Sequence, residues 1–214
     1  MAIPTEPVSA LTLILSSAVV SAGVNVTWSV IARYLDRRKE AQKIDHVYLS
    51  LALQMEEFAR QCNGRIYDVS EALRRYYDDH DMAAFENFSR FVLDFAPEPD
   101  WVSLPIPFVA KIKSLQSRFD QCNSWVNMQS QLWAGLDDAY ALDEERLAFY
   151  GKKACETAAD IRSKIKAGPG ENEDLISHFD TVLESRRSLY SQYPDSHTFI
   201  PELRAQFDSL CPAH

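Results

Sequence analysis

Residues 7–32 read PVSALTLILSSAVVSAGVNVTWSVIA, and residues 33–43 read RYLDRRKEAQK. The first stretch is 26 residues long and contains no charged side chain. As a helix it would be about 39 Å long, more than the roughly 30 Å hydrocarbon core of a bilayer. It therefore predicts a single transmembrane helix, which together with the N-terminal tail occupies residues 1–32.

The second stretch forms a basic collar, residues 33–43, directly after the predicted span. It is defined by five cationic side chains: Arg33, Arg37, Arg38, Lys39 and Lys43. The N-terminal tail has no Lys or Arg, so the positive-inside rule places the N-terminus outside the cell membrane and the C-terminal domain in the cytoplasm. The collar is expected to contact lipid headgroups.

Two alternatives to a retained span remain open. The tripeptide at residues 20–22, Val-Ser-Ala, resembles a small-residue cleavage site, which would make the stretch a signal peptide. A signal peptide has a positively charged start, whereas Glu6 is the one charged residue before the stretch, and this favours a retained helix. The other alternative is a helix buried inside a protein complex.

Polar residues within the predicted span fall on one helical face. They recur at steps of four: Ser17, Ser21, Asn25 and Ser29. Small and hydroxyl side chains allow membrane helices to approach closely, and the Asn25 amide can form an interhelical hydrogen bond. This row predicts packing against another helix. The alternative is a plain anchor whose hydroxyls bond to their own backbone carbonyls.

The remaining residues, 44–214, predict an acidic cytoplasmic helical bundle. Apolar residues recur at steps of three and four over much of this region, and the whole chain has six glycines. The predicted helices cover residues 35–78, 82–95, 108–134, 143–167, 171–193 and about 200–210. Asp143 is expected to cap the fourth of these helices. The proline-rich residues 96–107 predict an extended connection with Trp101, Leu104 and Ile106 buried. The fold class is therefore all-α: one N-terminal transmembrane helix followed by an antiparallel helical bundle.

Charge excludes one class of partner. The whole chain carries −9, the collar +3 and Glu6 −1, so residues 44–214 carry −11. Nucleic acid requires a basic face, so we expect no nucleic-acid partner. The four cysteines are widely separated and form no C-x-x-C motif. In a cytoplasmic domain they are expected to be buried thiols.

Patterns typical of catalytic or metal sites are weak in this chain. Residues 78–81, Asp-Asp-His-Asp, point in different directions on a helix end, and Asp174 and His178 offer only a pair of ligands. The sequence has no G-x-S-x-G, P-loop or G-x-G-x-x-G motif. We therefore predict no catalytic residue, no cofactor and no metal, and a protein that is not an enzyme.

The resulting prediction is a non-enzymatic, single-pass membrane-anchored interaction or sensing protein at the cytoplasmic face. Its expected partners are the lipid bilayer and either a protein partner or a second copy bound through the transmembrane helix. One alternative is a membrane effector whose spans oligomerise and perturb the bilayer under control of the bundle. Another is an accessory subunit of a larger membrane complex. The abundant Tyr and Trp residues predict either a partner-binding patch or the rim of a thick core.

Overall fold

A computed structural model describes residues 10–80, 91–132, 136–193 and 196–210; for residues 10–32, 130–132 and 136–137 it describes the helical backbone alone. In this part of the chain there are five α-helices and no strand. The helices are α1 (Ala10–Asp79), α2 (Ile106–Leu132), α3 (Leu136–Ile165), α4 (Glu173–Gln192) and α5 (Pro201–Leu210), and a 3₁₀ turn covers Trp101–Ser103. The all-α prediction and the helical bundle are confirmed.

The chain divides into two compact units, an N-terminal unit (Met1–His46) and a bundle unit (Val47–His214). The N-terminal unit contains the first part of α1, in which residues 33–43 are exposed. Among the described residues, no helix combines the length and the apolar character that crossing a bilayer requires. The side chains of the predicted span, residues 7–32, lie outside the described residues, so the span stays a prediction.

Contacts within the bundle unit fix the directions of its helices. The rings of Tyr48 and Phe108 lie 5.0 Å apart, and those of Phe58 and Phe119 lie 5.1 Å apart, so α1 and α2 run parallel. Helix α3 is antiparallel to α2, because Lys111 pairs with Asp160 and Phe119 further along α2 contacts Tyr150 earlier on α3. It is antiparallel to α4 as well, because Glu144 pairs with Arg186 and Lys152 with Asp180. The predicted antiparallel packing therefore describes α2–α3 and α3–α4, whereas α1 and α2 are parallel.

Residues 91–97, which lie between α1 and α2 in sequence, contact both helices. Gln116 Nε2 donates to the Leu93 carbonyl at 2.7 Å, and Gln54 Nε2 donates to the Pro97 carbonyl at 3.2 Å. The prediction of a helix over residues 82–95 is wrong for residues 91–95, which are non-helical. Here α2 binds the backbone, and Asp94 accepts a hydrogen bond from the Phe95 N–H at 2.9 Å. The earlier part of that prediction, residues 82–90, lies outside the described residues.

Two further sequence predictions are wrong. Helix α3 begins at Leu136, so Asp143 lies inside the helix instead of capping it, and its carboxylate binds Arg146 Nη2 at 2.6 Å. Ile106 is 83% exposed instead of buried. It is the first residue of α2, between two prolines that the start of a helix tolerates, and the buried positions begin further along the helix at Ile112.

The core of the bundle unit is strongly aromatic. Phe91 stacks on Phe58 at 5.5 Å, and Phe119 meets both rings edge-on. Tyr150 of α3 contacts Phe119 edge-on, with ring centroids 5.4 Å apart. The guanidinium of Arg146 lies 4.3 Å from the centre of the Phe119 ring, so the core also buries a cation that Asp143 neutralises.

A buried ion pair joins α1 to the C-terminal part of α3. Arg162 Nε lies 2.5 Å from Glu56 Oε1, and Arg162 Nη2 donates to Glu56 Oε2 at 3.0 Å. Gly170, in the loop before α4, covers this pair so closely that a Cβ there would lie 2.5 Å from Glu56 Oε1. The loop can approach the pair because residue 170 has no side chain.

Candidate functional site

A cavity of about 340 Å³ lies where α1 and α2 end and α3 begins. Its walls come from parts of the chain that are far apart in sequence. Helix α1 contributes Leu73 and Tyr77, α3 contributes Glu145, α4 contributes Arg186, and residues 196–199 also line it. This volume lies within the range of small-molecule sites, and the lining mixes apolar residues with polar and charged ones.

Glu145 is the most deeply buried charged group in the lining, at 2% exposure. Its Oε2 accepts a hydrogen bond from the Ile200 N–H at 3.1 Å, which ties α3 to the segment before α5. Its Oε1 lies 3.5 Å from Arg186 Nε. Arg186 also binds Glu144 at 2.9 Å through Nη2. One guanidinium is therefore shared by two neighbouring carboxylates.

Burial raises the pKa of Glu145 to about 7. Loss of hydration is the largest cause, and the nearby charge of Glu144 acts in the same direction. Arg186 and the Ile200 N–H oppose this shift because both favour the ionised carboxylate. A small change around the cavity can therefore change the charge of Glu145 near neutral pH.

The cavity is far from the end of the bundle unit that α1 enters, which we call the entry end and define by Tyr48, Phe108 and Lys164. Lys164 Nζ lies 4.2 Å from the centre of the Tyr48 ring, and Phe108 packs edge-on against the same ring. Tyr77 of the cavity lies 29 residues after Tyr48 on α1, a helical rise of about 44 Å.

The site residues predicted from sequence all lie on α1 and not at this cavity. The collar residues are exposed on the helix surface: Arg33, Arg37, Arg38, Lys39 and Lys43. The row predicted for helix packing consists of Ser17, Ser21, Asn25 and Ser29. It falls within α1, but its side chains are outside the described part of the structure. The proposed roles of both sets stay predictions.

His178, considered above as a partner of Asp174, has other contacts. Its Nδ1 is paired with Asn63 Oδ1, and its ring stacks on Tyr67 with centroids 5.0 Å apart. His178 thereby joins α4 to α1. Across the described ranges, no group of three His, Cys, Asp or Glu side chains is placed to hold a metal ion.

Three cysteines, Cys62, Cys122 and Cys155, are buried free thiols, and Cys211 lies outside the described residues. Burial raises the pKa of the Cys62 thiol well above its ordinary value and raises that of Cys155 to about 11. The thiolate is the reactive form, so these side chains are poor nucleophiles.

Sequence reasoning missed the cavity. One signal was available: Glu145 follows Leu142 by three residues and precedes Ala148 by three, which puts a carboxylate on an apolar helical face. Both of these neighbours are buried. No sequence pattern pairs Glu145 with Arg186, because the two residues are 41 positions apart on different helices.

Comparison with known proteins adds no template for the site. No protein-family model, curated protein or solved structure matches the chain. The functional argument therefore depends on the residues themselves, their geometry and their charges.

Proposed function

We propose that this chain is a non-enzymatic, single-pass membrane-anchored protein whose helical bundle senses or binds a partner at the cytoplasmic face. One observation carries the proposal: the uncharged residues 7–32 and the basic collar directly precede the bundle on α1. A span with a cationic flank is the ordinary form of a single-pass anchor. The acidic charge of residues 44–214 disfavours nucleic acid as the partner.

The surface of the entry end supports a position near a membrane or a membrane partner. Val102 is 96% exposed and Ile106 is 83% exposed, although Leu104 between them is buried. Both lie just before Phe108, which packs on Tyr48 where α1 enters the bundle unit. Apolar side chains displayed in this way are typical of surfaces that contact lipid or another protein.

The cavity supports the sensing part of the proposal. Glu145 and Arg186 line it from two different helices, and residues 196–199 lie over it. A molecule bound there would touch α1, α3, α4 and this segment together. Binding would therefore stabilise the packing of these elements against one another. In this way the presence of a ligand would change the stability of the bundle, which a partner could detect.

The row at Ser17, Ser21, Asn25 and Ser29 favours a second candidate function. In that alternative the spans associate with each other and perturb the bilayer, and the bundle controls their association. The same row is consistent with an accessory subunit whose span packs against a larger membrane complex. Interhelical hydrogen bonds from such residues contribute about 0.6 kcal/mol each.

A topology experiment tests the proposal. A reporter fused after His214 should be cytoplasmic, and the full chain should remain with membranes after a high-salt wash. Deleting residues 1–32 should release the protein into the soluble fraction. A truncated chain that still fractionates with washed membranes would show that the anchor assignment is wrong.

Charge substitutions in the collar sharpen this experiment. Replacing Arg37, Arg38 and Lys39 by Glu removes most of the positive flank and should lower the fraction of reporter that is cytoplasmic. Lys166→Glu is the matched control, since Lys166 is an exposed cation outside the collar. Copurification in mild detergent, followed by mass measurement, then separates a self-associating effector from a subunit with a different partner.

A further inference from the structure

We propose that the cavity beside Glu145 binds a small organic cation, an amine with an apolar substituent, and that Glu145 is its counter-ion. The inference rests on the proposed sensing function, because it names the class of ligand for that site. It is nevertheless tested separately, since membrane anchorage and ligand binding have different measurements.

The charge balance around the cavity favours a cation. Asp138 and Glu145 line it, and Glu144 lies next to it through Arg186. When all four side chains are ionised, three carboxylates face one guanidinium. Arg186 is already engaged by Glu144 at 2.9 Å and Glu145 at 3.5 Å, so an anionic ligand would compete with two carboxylates for one guanidinium.

One oxygen of Glu145, Oε1, is ion-paired with Arg186 without a close hydrogen bond, so it can still accept a hydrogen bond from a ligand. Glu145 Oε2 is used by the Ile200 N–H at 3.1 Å. Its Oε1 is 3.5 Å from Arg186 Nε, longer than the usual 2.7–3.2 Å or so of an N–H···O hydrogen bond. An ammonium group in the cavity can donate to Oε1 at a shorter distance. Such charge-assisted bonds are roughly twice as strong as bonds between neutral groups.

The rest of the lining suits the apolar part of an amine. Leu73, Leu142 and Leu189 supply aliphatic surface, and Tyr77 and Phe199 supply aromatic rings. Aromatic faces also attract cations, which adds to the preference for an ammonium group. A divalent metal ion fits poorly, because the described part of the chain has no cluster of three metal-ligating side chains.

Binding of an amine at this site should depend on pH. The pKa of Glu145 is raised to about 7, and a bound cation requires the ionised carboxylate. The ionised fraction rises about tenfold between pH 6 and pH 8, so affinity should rise by up to the same factor. Arg186 on α4 and Glu144 on α3 act directly on Glu145, and the other titratable groups in the lining are Asp138 on α3, Tyr77 on α1 and His197.

The test uses the full chain in mild detergent and three probes of similar shape. They are 2-phenylethylamine, the neutral 2-phenylethanol and the anionic 3-phenylpropanoate, and their binding is measured by titration calorimetry at pH 6, 7 and 8. We expect the amine to bind at least tenfold more tightly than the alcohol at pH 8, and the carboxylate not to bind. Equal affinity for amine and alcohol, or a preference for the carboxylate, would overturn the proposal.

Variants assign the effect to Glu145. Glu145→Gln should weaken amine binding at least tenfold and remove its pH dependence, while its amide oxygen can still accept the Ile200 N–H. His197→Gln should keep the pH dependence, which separates the carboxylate from the imidazole. Glu184→Gln, at an exposed carboxylate on α4 outside this lining, is the matched control and should bind as the wild type does.

The wild-type titrations decide the matter even if Glu145→Gln fails to fold. An amine affinity that is independent of pH between 6 and 8 would contradict the proposed counter-ion. Fractionation of the same preparation tests the membrane anchor separately. A protein that remains with membranes but does not bind the amine would overturn this inference and leave the proposed anchor intact.

Discussion

Replacing Gly170 by Ala tests how the bundle accommodates its buried ion pair. A Cβ at this position would lie 2.5 Å from Glu56 Oε1, 2.9 Å from Asn172 Nδ2 and 3.2 Å from Arg162 Nε. The first two distances are shorter than the 3.0 Å below which a neighbouring atom must move. Glu56 cannot move freely, because both of its oxygens are held by Arg162.

The size of the effect follows from burial of the pair. The side chain of Glu56 is 5% exposed and that of Arg162 is 15% exposed. If the pair is displaced, water can therefore replace few of the hydrogen bonds that the two charges lose. Overpacking a filled site costs about 1–3 kcal/mol, and separating a buried pair costs about 3–5 kcal/mol. The added methyl group shifts the pair without removing either partner. We therefore expect Gly170→Ala to lower the free energy of unfolding by about 2 kcal/mol.

Gly64→Ala provides a control with the opposite sign. Gly64 lies inside α1, and a Cβ there would have no neighbour within 4 Å. Removing a glycine from a helix interior should raise the free energy of unfolding by about 0.5–1 kcal/mol. Urea unfolding of the full chain in mild detergent, followed by far-ultraviolet circular dichroism, measures both variants.

A double-mutant cycle identifies the mechanism of the Gly170→Ala effect. If the methyl group acts by displacing Glu56, it should cost at least about 1 kcal/mol less in a Glu56→Ala background, where the colliding oxygen is absent. An unchanged cost in that background would refute the reasoning. A loss smaller than that of ordinary surface substitutions, about 0.5 kcal/mol, would refute it as well.

Three other predictions concern the span, the cavity and the thiols. Asn25→Leu should reduce the recovery of cross-linked oligomer or partner by an amount consistent with about 0.6–1.7 kcal/mol, while Leu13→Ile should not; equal recovery would make the span a simple tether. The folded state raises the pKa of Glu145 from 4.5 to about 7, so wild-type stability should fall relative to Glu145→Gln as pH rises through this window, by at most about 3.4 kcal/mol. Parallel curves of unfolding free energy against pH would contradict this assignment. Cys62 and Cys155 should resist alkylation in the folded protein, as measured by mass spectrometry after iodoacetamide; rapid labelling of either would contradict their burial.

Local signals in the sequence were sufficient to predict several helix boundaries. The predicted helices over 171–193 and about 200–210 correspond to α4, which begins at Glu173 with acidic residues in its first turn, and to α5, which begins at Pro201. Both signals act within one helical turn, where capping, charge and proline geometry determine the backbone. The all-α class followed from apolar residues spaced at three and four positions.

Other elements could not be predicted because distant residues determine them. Residues 91–95 have the apolar content of a helix, yet Gln116 of α2 binds the Leu93 carbonyl and holds the segment in a non-helical form. Asp143 resembles an N-cap in sequence, but α3 begins seven residues earlier, at Leu136. The parallel arrangement of α1 and α2 likewise involves long-range contacts, which Leu93 and Pro97 make with Gln116 of α2 and Gln54 of α1.

The cavity was invisible in the sequence because it depends on helix register. Along α3 and α4, the pairs Lys152–Asp180 and Glu144–Arg186 lie at 2.5 Å and 2.9 Å. The apolar faces of two helices can pack at several offsets, but sliding α4 by one turn, about 5.4 Å, would separate both pairs. In the observed register both pairs form, and Phe179 of α4 packs so closely on Gly151 of α3 that a Cβ there would lie 2.6 Å from the ring. That register places Arg186 beside Glu145 Oε1, and the Ile200 N–H donates a hydrogen bond to Glu145 Oε2. The site thus depends on the packing that orders the bundle, so a larger side chain at Gly151, which would displace the buried Phe179, should alter the cavity from a distance.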